Sequence, residues 1–434
     1  MTVRADLRHR PGGGPAGRPR LAVAYDVTSS SPLELTEALG GRCDVVWVVD
    51  VSSPSLGAWA RLLPRLGRVV DLADRSLDEV AEELRDTGVD GVVAFTDSQL
   101  PIAARLAETL GLDGNPVPVI DALTDKVVQR EALGAAGLPG PRFVAVGADT
   151  PADRVAGLVA GLAHPVVVKP RKGSGSQDTV RLEVPAATVD YLRGMLGAGS
   201  CPDLIVEEWL ADEVGASHGP FADYVSVEAV ARRGIVVPLA VTGKFPLADP
   251  CRETGNFLPH HLAPAEAEEV RELAVRAAEA LGVTSGALHI EVKLTPDGPR
   301  VIEVNGRIGG GGIDALYAMV HGCTITGIAA AVALGEQVDL GVVGDHRPDD
   351  RFAYTYFVQA PREARILRGL GNLEELQGLE GVVATGVNRT VGDALDWRDG
   401  SMGYLLSVRG TVHGIEALAR VPRRGGDVRD VDGA

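Results

Sequence analysis

The stretch GALHIEVKLTPDGPRVIEVNGRIGGGGI, residues 286–313, leaves little freedom in how it can fold. Two β-forming arms flank the turn-forming triplet Pro296-Asp297-Gly298, the pattern of an antiparallel hairpin. Centring the turn on Asp297 sets Glu291 directly across from Glu303 on one face of the pair. Asn305, two residues beyond Glu303, shares that face. Facing carboxylates repel and need a counter-charge, and two acids with an amide oxygen form the hard oxygen set that holds Mg²⁺ together with waters and phosphates. A solvated sheet face could carry such acids incidentally, but it has no reason to run into Arg307 and the glycines Gly309, Gly310, Gly311 and Gly312. Arg307 suits the stabilisation of charge on a transferring phosphoryl group or an oxyanion. The glycines let backbone N–H groups come close to an anion, although a glycine run alone also describes a flexible linker.

A second segment, HPVVVKPRKGSGSQDTV at 164–180, delivers Lys169 at the end of a buried strand. The loop Lys172-Gly173-Ser174-Gly175-Ser176 that follows can fold over polyphosphate. Its order is not GxxxxGK[ST], so it is no P-loop. In a third segment the apolar run Leu204-Ile205-Val206 leads into Glu207-Glu208-Trp209-Leu210, where a strand end can offer backbone groups to an adenine edge and a carboxylate to an amino group or ribose. Lysine use ties these pieces together. The chain has only Lys126, Lys169, Lys172, Lys244 and Lys293 and uses arginine everywhere else, so a retained lysine marks a place that wants a compact ammonium.

Upstream, residues 20–119 alternate short apolar runs (RLAVAYDV, CDVVWVVDV, VDGVVAFTD) with amphipathic helices, which predicts a parallel α/β layer. The first strand is followed by serines and not by GxGxxG, so a dinucleotide site there is not expected. A helix from Asp125 through Leu133 opens a unit at 120–202, and a body at 203–338 contains a hairpin turning at Arg232-Arg233-Gly234 and the hairpin described above. Short strands return at 339–420, between a polar arm at 1–19, read as disordered, and an exposed charged tail at 421–434. At 434 residues the chain exceeds one ordinary core. A net charge of −17 excludes a nucleic-acid polyanion as the default partner. Four dispersed cysteines suggest neither a disulfide framework nor a zinc site. No apolar run is long enough for a membrane span or a signal peptide, so a cytoplasmic protein without a membrane partner is expected.

In order and separation, the three segments resemble the ATP-grasp superfamily over roughly 120–335, with 20–119 similar to its pre-ATP-grasp domain. The resemblance implies an α/β (α+β) fold: a Rossmann-like N-terminal domain, a two-lobed ATP-grasp fold with a small lid, and a small C-terminal subdomain. It implies Lys126 and Lys169 as phosphate-contacting lysines, the 172–176 loop as the phosphate cover, and Glu207 and Leu210, with Glu208 beside them, at the adenine hinge. Asp223 or Glu228 would bind ribose. Glu291, Glu303 and Asn305 match the family's metal ligands and Arg307 its catalytic arginine.

Within the superfamily, NGRIGGGGI and the segment VTGKF carrying Lys244 resemble the carboxylate–amine ligases that include L-amino acid (dipeptide) ligases. Glu253 stands where relatives place a substrate or metal acid, and Asn256 stands where they often carry a histidine. The resemblance implies that ATP, with Mg²⁺ or alternatively Mn²⁺, activates a small carboxylate as an acyl phosphate. A small amine, amino-acid-like, then attacks it, with the glycines at 309–312 near the substrates. Alternatives are a ligase acting on a carrier- or peptide-bound substrate and a non-catalytic ATP-binding scaffold; a purine-pathway ligase or biotin-type carboxylase fits the C-terminal segment less well. A homodimer is the general expectation for an oligomer.

Overall fold

The computed structural model describes residues 17–27, 30–138, 140–198, 201–210, 219–336, 350–371, 373–422 and 429–432. Most of the N-terminal arm, most of the loop at 211–222 and much of the charged tail lie outside the described residues. The first unit is a parallel sheet of β1 (Arg20–Ala24), β2 (Asp44–Val49), β3 (Arg68–Asp71) and β4 (Gly91–Ala94), ordered β3-β2-β1-β4. Alternation along β1 sends Leu21 and Val23 to one core and Ala22 and Ala24 to another, so the sheet is covered on both faces, as parallel sheets require. Strand β3, four residues without a periodic pattern, was not legible in the sequence.

The second unit is an antiparallel sheet of β5 (Phe143–Val146), β6 (Val166–Pro170), β7 (Val180–Leu182) and β8 (Leu204–Glu208), ordered β5-β8-β6-β7. Strand β8, expected to begin the body, pairs with β5 and β6 and belongs to this lid sheet. Its apolar residues close the lid's own core with Val166, Val168 and Leu192.

The body is an eight-stranded antiparallel sheet. Its strands are β9 (Tyr224–Arg232), β10 (Ile235–Lys244), β11 (Gly255–Leu258), β12 (Ser285–Lys293), β13 (Arg300–Asn305) and β14 (Arg351–Val358). After β15 (Ile366–Leu370) come its last two members, β16 (Val382–Val387) and β17 (Leu406–His413). The order is β13-β12-β9-β10-β11-β14-β17-β16. The C-terminal strands, expected as a separate subdomain, extend this sheet because β11 pairs with β10 on one side and β14 on the other. The expected tail contributes β18 (Arg429–Asp432), paired with β15.

Strand β9 is buried along its whole length. Val225, Val227, Ala229 and Ala231 face the helix Pro264–Ala280, which meets them with Ala267, Val270, Ala274, Ala277 and Ala278. The alanines let helix and sheet approach closely, and Val270 and Leu273 each contribute roughly 1.5–3 kcal/mol by burial. Ser226, Glu228 and Val230 point to the other face, where the helix Ile325–Ala333, buried at every residue, fills the space below the N-terminal sheet. That packing explains the helix's apolar composition; among the described residues no single helix is long and apolar enough to cross a membrane.

Strand β13 is an edge, and an unpaired edge is a liability. The helix Lys126–Ala135 covers it with two buried side chains. Gln129 donates to Ala122 O at 2.9 Å and Val304 O at 2.8 Å and accepts from Val304 N at 2.9 Å, while Arg130 donates to Ile302 O. Arg130 also joins this helix to the lid sheet: Glu207 Oε1 lies 2.6 Å from its Nε, and Glu207 Oε2 lies 2.7 Å from Lys169 Nζ. Burial by itself pushes the Glu207 carboxyl up, but the charges of Arg130 and Lys169 and their hydrogen bonds outweigh it and hold the pKa at about 2.

Two outcomes are expected. Replacing Gln129 by Leu strips partners from buried backbone groups and should lower the unfolding free energy by roughly 2–3 kcal/mol; a urea midpoint equal to wild type would refute the edge-cover role. Glu207→Gln leaves two cations buried and should cost about 3–5 kcal/mol at neutral pH. Because the folded pKa is depressed from 4.5, this stabilisation is fully present above that value and is lost as pH falls towards about 2. The gap between wild type and variant, measured by urea denaturation, should therefore narrow between about pH 5 and pH 3. A constant gap would contradict it.

Candidate functional site

The three units meet at one cleft of about 2040 Å³. Of the five lysines, Lys126, Lys169, Lys172 and Lys293 line it. The fifth, Lys244, is buried and sits 3.1 Å from Glu253, itself a lining residue.

The floor is the β12–β13 hairpin. Register pairs Glu291 with Glu303 and His289 with Asn305, as turn centring on Asp297 requires, and a bulge between Glu291 and Val292 shifts only the residues nearer the turn. Each carboxylate has its own cation. Glu303 Oε1 lies 3.2 Å from Lys126 Nζ, and Glu291 Oε1 lies 3.4 Å from His289 Nε2. His289 Nδ1 is 3.0 Å from both oxygens of Glu228. Burial alone pulls the His289 pKa down, but the charge and hydrogen bond of Glu228, with the hydrogen bond to Glu291, lift it to about 9. The ring is therefore an imidazolium that donates from both nitrogens. Burial pushes Glu291 up, and the hydrogen bond and charge of His289, then Lys244 and Arg307, bring it down to about 2.

A hard divalent cation fits this donor set: Glu291 and Glu303 face each other across the hairpin, and the Asn305 amide is fixed by donation from Nδ2 to His289 O at 3.3 Å. Among the described residues no three His, Cys, Asp or Glu side chains form a complete cage. That suits a site whose remaining ligands come from a bound phosphate and water.

The lid reaches this floor through Lys126. Asp125 caps the helix Lys126–Ala135, accepting from Val127 N and Val128 N, and also takes Arg171 Nε at 2.7 and 2.8 Å. Lys126 Nζ donates to Gly173 O at 2.7 Å, so one ammonium touches both the glycine loop and Glu303. Ser174, Gly175 and Ser176 continue the loop along the cleft, Ser176 in the left-handed region with φ of 56°. Arg307, just past β13, is held to the N-terminal unit, its Nε 2.8 Å from Asp97 Oδ2.

The glycines at 309–312 form no loose linker. A Cβ on Gly309 would stand 2.6 Å from His289 Nδ1 and 2.9 Å from Glu228 Oε2. Gly311 and Gly312 have φ of 64° and 77°, and a Cβ on Gly311 would meet Asn256 Nδ2 at 2.4 Å. Only glycine fits between this turn and the sheet.

Some expected roles are not available. Glu228 is fully buried among His289, Ser226 and Thr242, so it cannot reach a ribose. Asp223 is held 2.6 Å from Lys293 Nζ and does not line the cleft. Glu207 spends its carboxylate on Arg130 and Lys169 and is paired within the lid sheet to Phe143 and Val167, and Leu210, past the strand end, lines the cleft. Glu208 accepts from Ala163 N at 2.8 Å and faces Arg142. Glu253 Oε1 takes Lys244 at 3.1 Å and the Tyr224 hydroxyl at 3.4 Å. Sequence reasoning missed Asp97 and Arg130, which lie far along the chain from Arg307 and Glu207, and His289, whose partner Glu228 is 61 residues away. It also missed Trp209 as a stacking surface, flanked by Arg181 at 4.5 Å and Lys293 at 4.6 Å from the ring centre.

Comparison with known proteins agrees with this geometry. Residues 65–114 match the family model for the ATP-grasp N-terminal domain and residues 123–311 that for the ATP-grasp domain. An uncharacterized protein of Sinorhizobium fredii is 28% identical over 300 residues, 68% of this chain and 55% of the relative. The alanine–anticapsin ligase of Bacillus subtilis is 27% identical over 250 residues, 54% of this chain and 52% of the relative. The chain thus spans about half the length of these curated relatives. The crystal structure of an L-amino acid ligase from Bacillus licheniformis superposes with a TM-score of 0.73 at 22% identity, covering 96% of this chain and all of that one, and so shares the fold. With a matching N-terminal unit, a matching nucleotide-binding core and the hairpin, lysines and glycine turn brought to one cleft, the chain belongs to the ATP-grasp superfamily.

Proposed function

We propose that the protein is an ATP-dependent carboxylate–amine ligase that forms an amide bond through an acyl phosphate. The observation that carries this reading is the in-register pair Glu291 and Glu303, both on the cleft floor, with Lys126 paired to Glu303 and Arg307 lining the same cleft. The names of the alanine–anticapsin ligase and of the structurally similar L-amino acid ligase support it. A non-catalytic scaffold has no use for two facing carboxylates that each need a dedicated counter-charge.

Glu291, Glu303 and Asn305 would hold Mg²⁺, which when bound supplies positive charge for the ATP phosphates. Lys126 and the 172–176 loop cover those phosphates, and Lys169 braces the strand beneath them. A small carboxylate attacks the γ-phosphorus; the bond to the β–γ bridging oxygen breaks and ADP leaves. Arg307, held in place by Asp97, neutralises the charge that builds on the transferring group. The lid keeps water from the acyl phosphate. An amine then attacks the carbonyl carbon, the C–N bond forms, and inorganic phosphate departs with the acyl C–O electron pair. Glu253, anchored through Oε1 by Lys244 and Tyr224, keeps Oε2 for the incoming ammonium and its proton. The two substrates are small and amino-acid-like on this reading.

The test is phosphate release from ATP and Mg²⁺ across pairs of amino acids and other small acids and amines, with mass spectrometry of positive wells. Pair-dependent release with a condensed product is expected. Glu303→Gln and Arg307→Lys should each lower kcat by roughly 10²–10³-fold with little change in thermal stability. Tight ATP binding without release in any pair, or variants as active as wild type, would sink the ligase reading.

A further inference from the structure

The sheet carries a row of polar side chains that neither the phosphate site nor the hairpin floor uses. Register pairs Lys244 with Asn256, Asn256 with Thr355, and Thr355 with Arg409, so these four stand side by side across β10, β11, β14 and β17. Lys244 is satisfied by Glu253. The other three are not: Asn256 Oδ1, Thr355 Oγ1 and Arg409 Nε are buried and have no hydrogen-bond partner. Asn256 is 0% and Thr355 2% exposed. Among the described residues Arg409 forms no ion pair. Three orphaned polar atoms in adjacent positions mark a place where a ligand completes the bonding.

The row lies under the glycine turn. A Cβ on Gly312 would stand 3.1 Å from Thr355 Oγ1 and 3.2 Å from Arg409 Nη2, and Asn256 Nδ2 already donates to Gly311 O at 3.1 Å. Thr355 and Arg409, with Phe357, Tyr404 and Ser407 beside them, line the same cleft as Glu291 and Arg307. Phe357 and Tyr404 pack at 4.9 Å between ring centres and give the position an apolar wall.

We infer that Arg409, with the Thr355 hydroxyl, binds a substrate carboxylate other than the one that is phosphorylated. An unpaired guanidinium in a partly buried setting matches a planar carboxylate, and the adjacent hydroxyl adds a donor. Two separate cations set the assignment. Gly309 touches His289 and Gly312 touches Arg409, and three Cα steps of 3.8 Å span at most roughly 11 Å. Arg409 is therefore near enough to hold one end of an amino-acid-sized substrate, while the carboxylate that meets the γ-phosphate faces Arg307, the guanidinium whose charge acts on Glu303 and Glu291. That second carboxylate belongs to the amine substrate or to the far end of a dicarboxylic acid. The assignment deepens the ligase reading and rests on it for its kinetic part.

Thermal-shift measurements with Mg-ADP present would compare free L-amino acids and dicarboxylic acids with their carboxamides, in wild type, Arg409→Gln and Arg409→Lys. At least one acid should stabilise wild type while its carboxamide does not; Arg409→Gln should abolish the shift and Arg409→Lys retain part of it. Thr355→Val should weaken the same ligand, and it carries the test if Arg409→Gln does not fold. In turnover, Arg409→Gln should raise the KM of the substrate bearing the second carboxylate roughly 10- to 100-fold with kcat little changed. Loss of that sensitivity with a decarboxylated amine identifies the amine substrate; loss with a monocarboxylic acid identifies the acid. No stabilisation by any acid, equal stabilisation by acid and amide, or an unchanged KM in the variant overturns the assignment. If wild type condenses no pair, the ligase reading fails and the thermal shifts alone decide on Arg409.

Discussion

Two carboxylates facing each other on neighbouring strands cannot be left to themselves, and the means by which Glu291 and Glu303 are held together organises the rest of the molecule. Each is balanced from a different direction. Lys126 comes from the helix that covers the β13 edge and also touches the lid loop at Gly173. His289 stands on the same strand as Glu291 but owes its positive charge to Glu228, one strand further into the sheet. Arg307, also felt by both acids, is anchored by Asp97 of the N-terminal unit. The hairpin therefore could not keep this charge arrangement alone, and the three units are bound to one another through the site as well as through their cores.

The burial of Glu228 is part of the same logic. A fully buried carboxylate is costly unless it is paired and hydrogen-bonded, and Glu228 is both, through His289, Ser226 and Thr242. The same imidazole that pairs with Glu228 lies 3.4 Å from Glu291, so the buried acid and the floor carboxylate share one partner. Gly309 must lie directly over this pair, since any side chain there would press on His289 and Glu228. The glycine turn is thus required by the packing of the buried charges as much as by any ligand above it.

What could be read in the sequence follows from how local each signal is. The hairpin register was legible because strand side chains alternate with period two and the Pro296-Asp297-Gly298 turn fixes the phase; the bulge beside Glu291 altered only the positions near the turn. The lysines were legible because the chain spends so few of them. Roles that depend on partners far along the chain were not. Glu207 looked like a nucleotide ligand until Arg130, 77 residues away, was found beside it. Arg307 gave no hint of Asp97 at a separation of 210. The sheet's continuation into β14, β17 and β16 was hidden for a related reason: it hangs on β11, a four-residue strand too short to show a period.

The lid's attachment differs in kind from that of the floor. Its sheet has a core built on Val166, Val168, Leu192 and Val206, into which Trp397 of the C-terminal segment also packs. Its glycine loop, by contrast, is held to the body by a few hydrogen bonds: Lys126 to Gly173 O, Ser401 N to Gly175 O at 2.8 Å, and Asp178 N to Arg398 O at 3.1 Å. Bonds of this type contribute about 0.5–1.5 kcal/mol each, so the loop can leave the cleft at a cost of a few kcal/mol while both cores stay intact. Ser401 is the point where this matters most, because its hydroxyl also accepts from Glu253 N at 2.9 Å. The residue that receives the lid loop is therefore bonded to the backbone of the cleft acid, and the position of one is mechanically tied to that of the other.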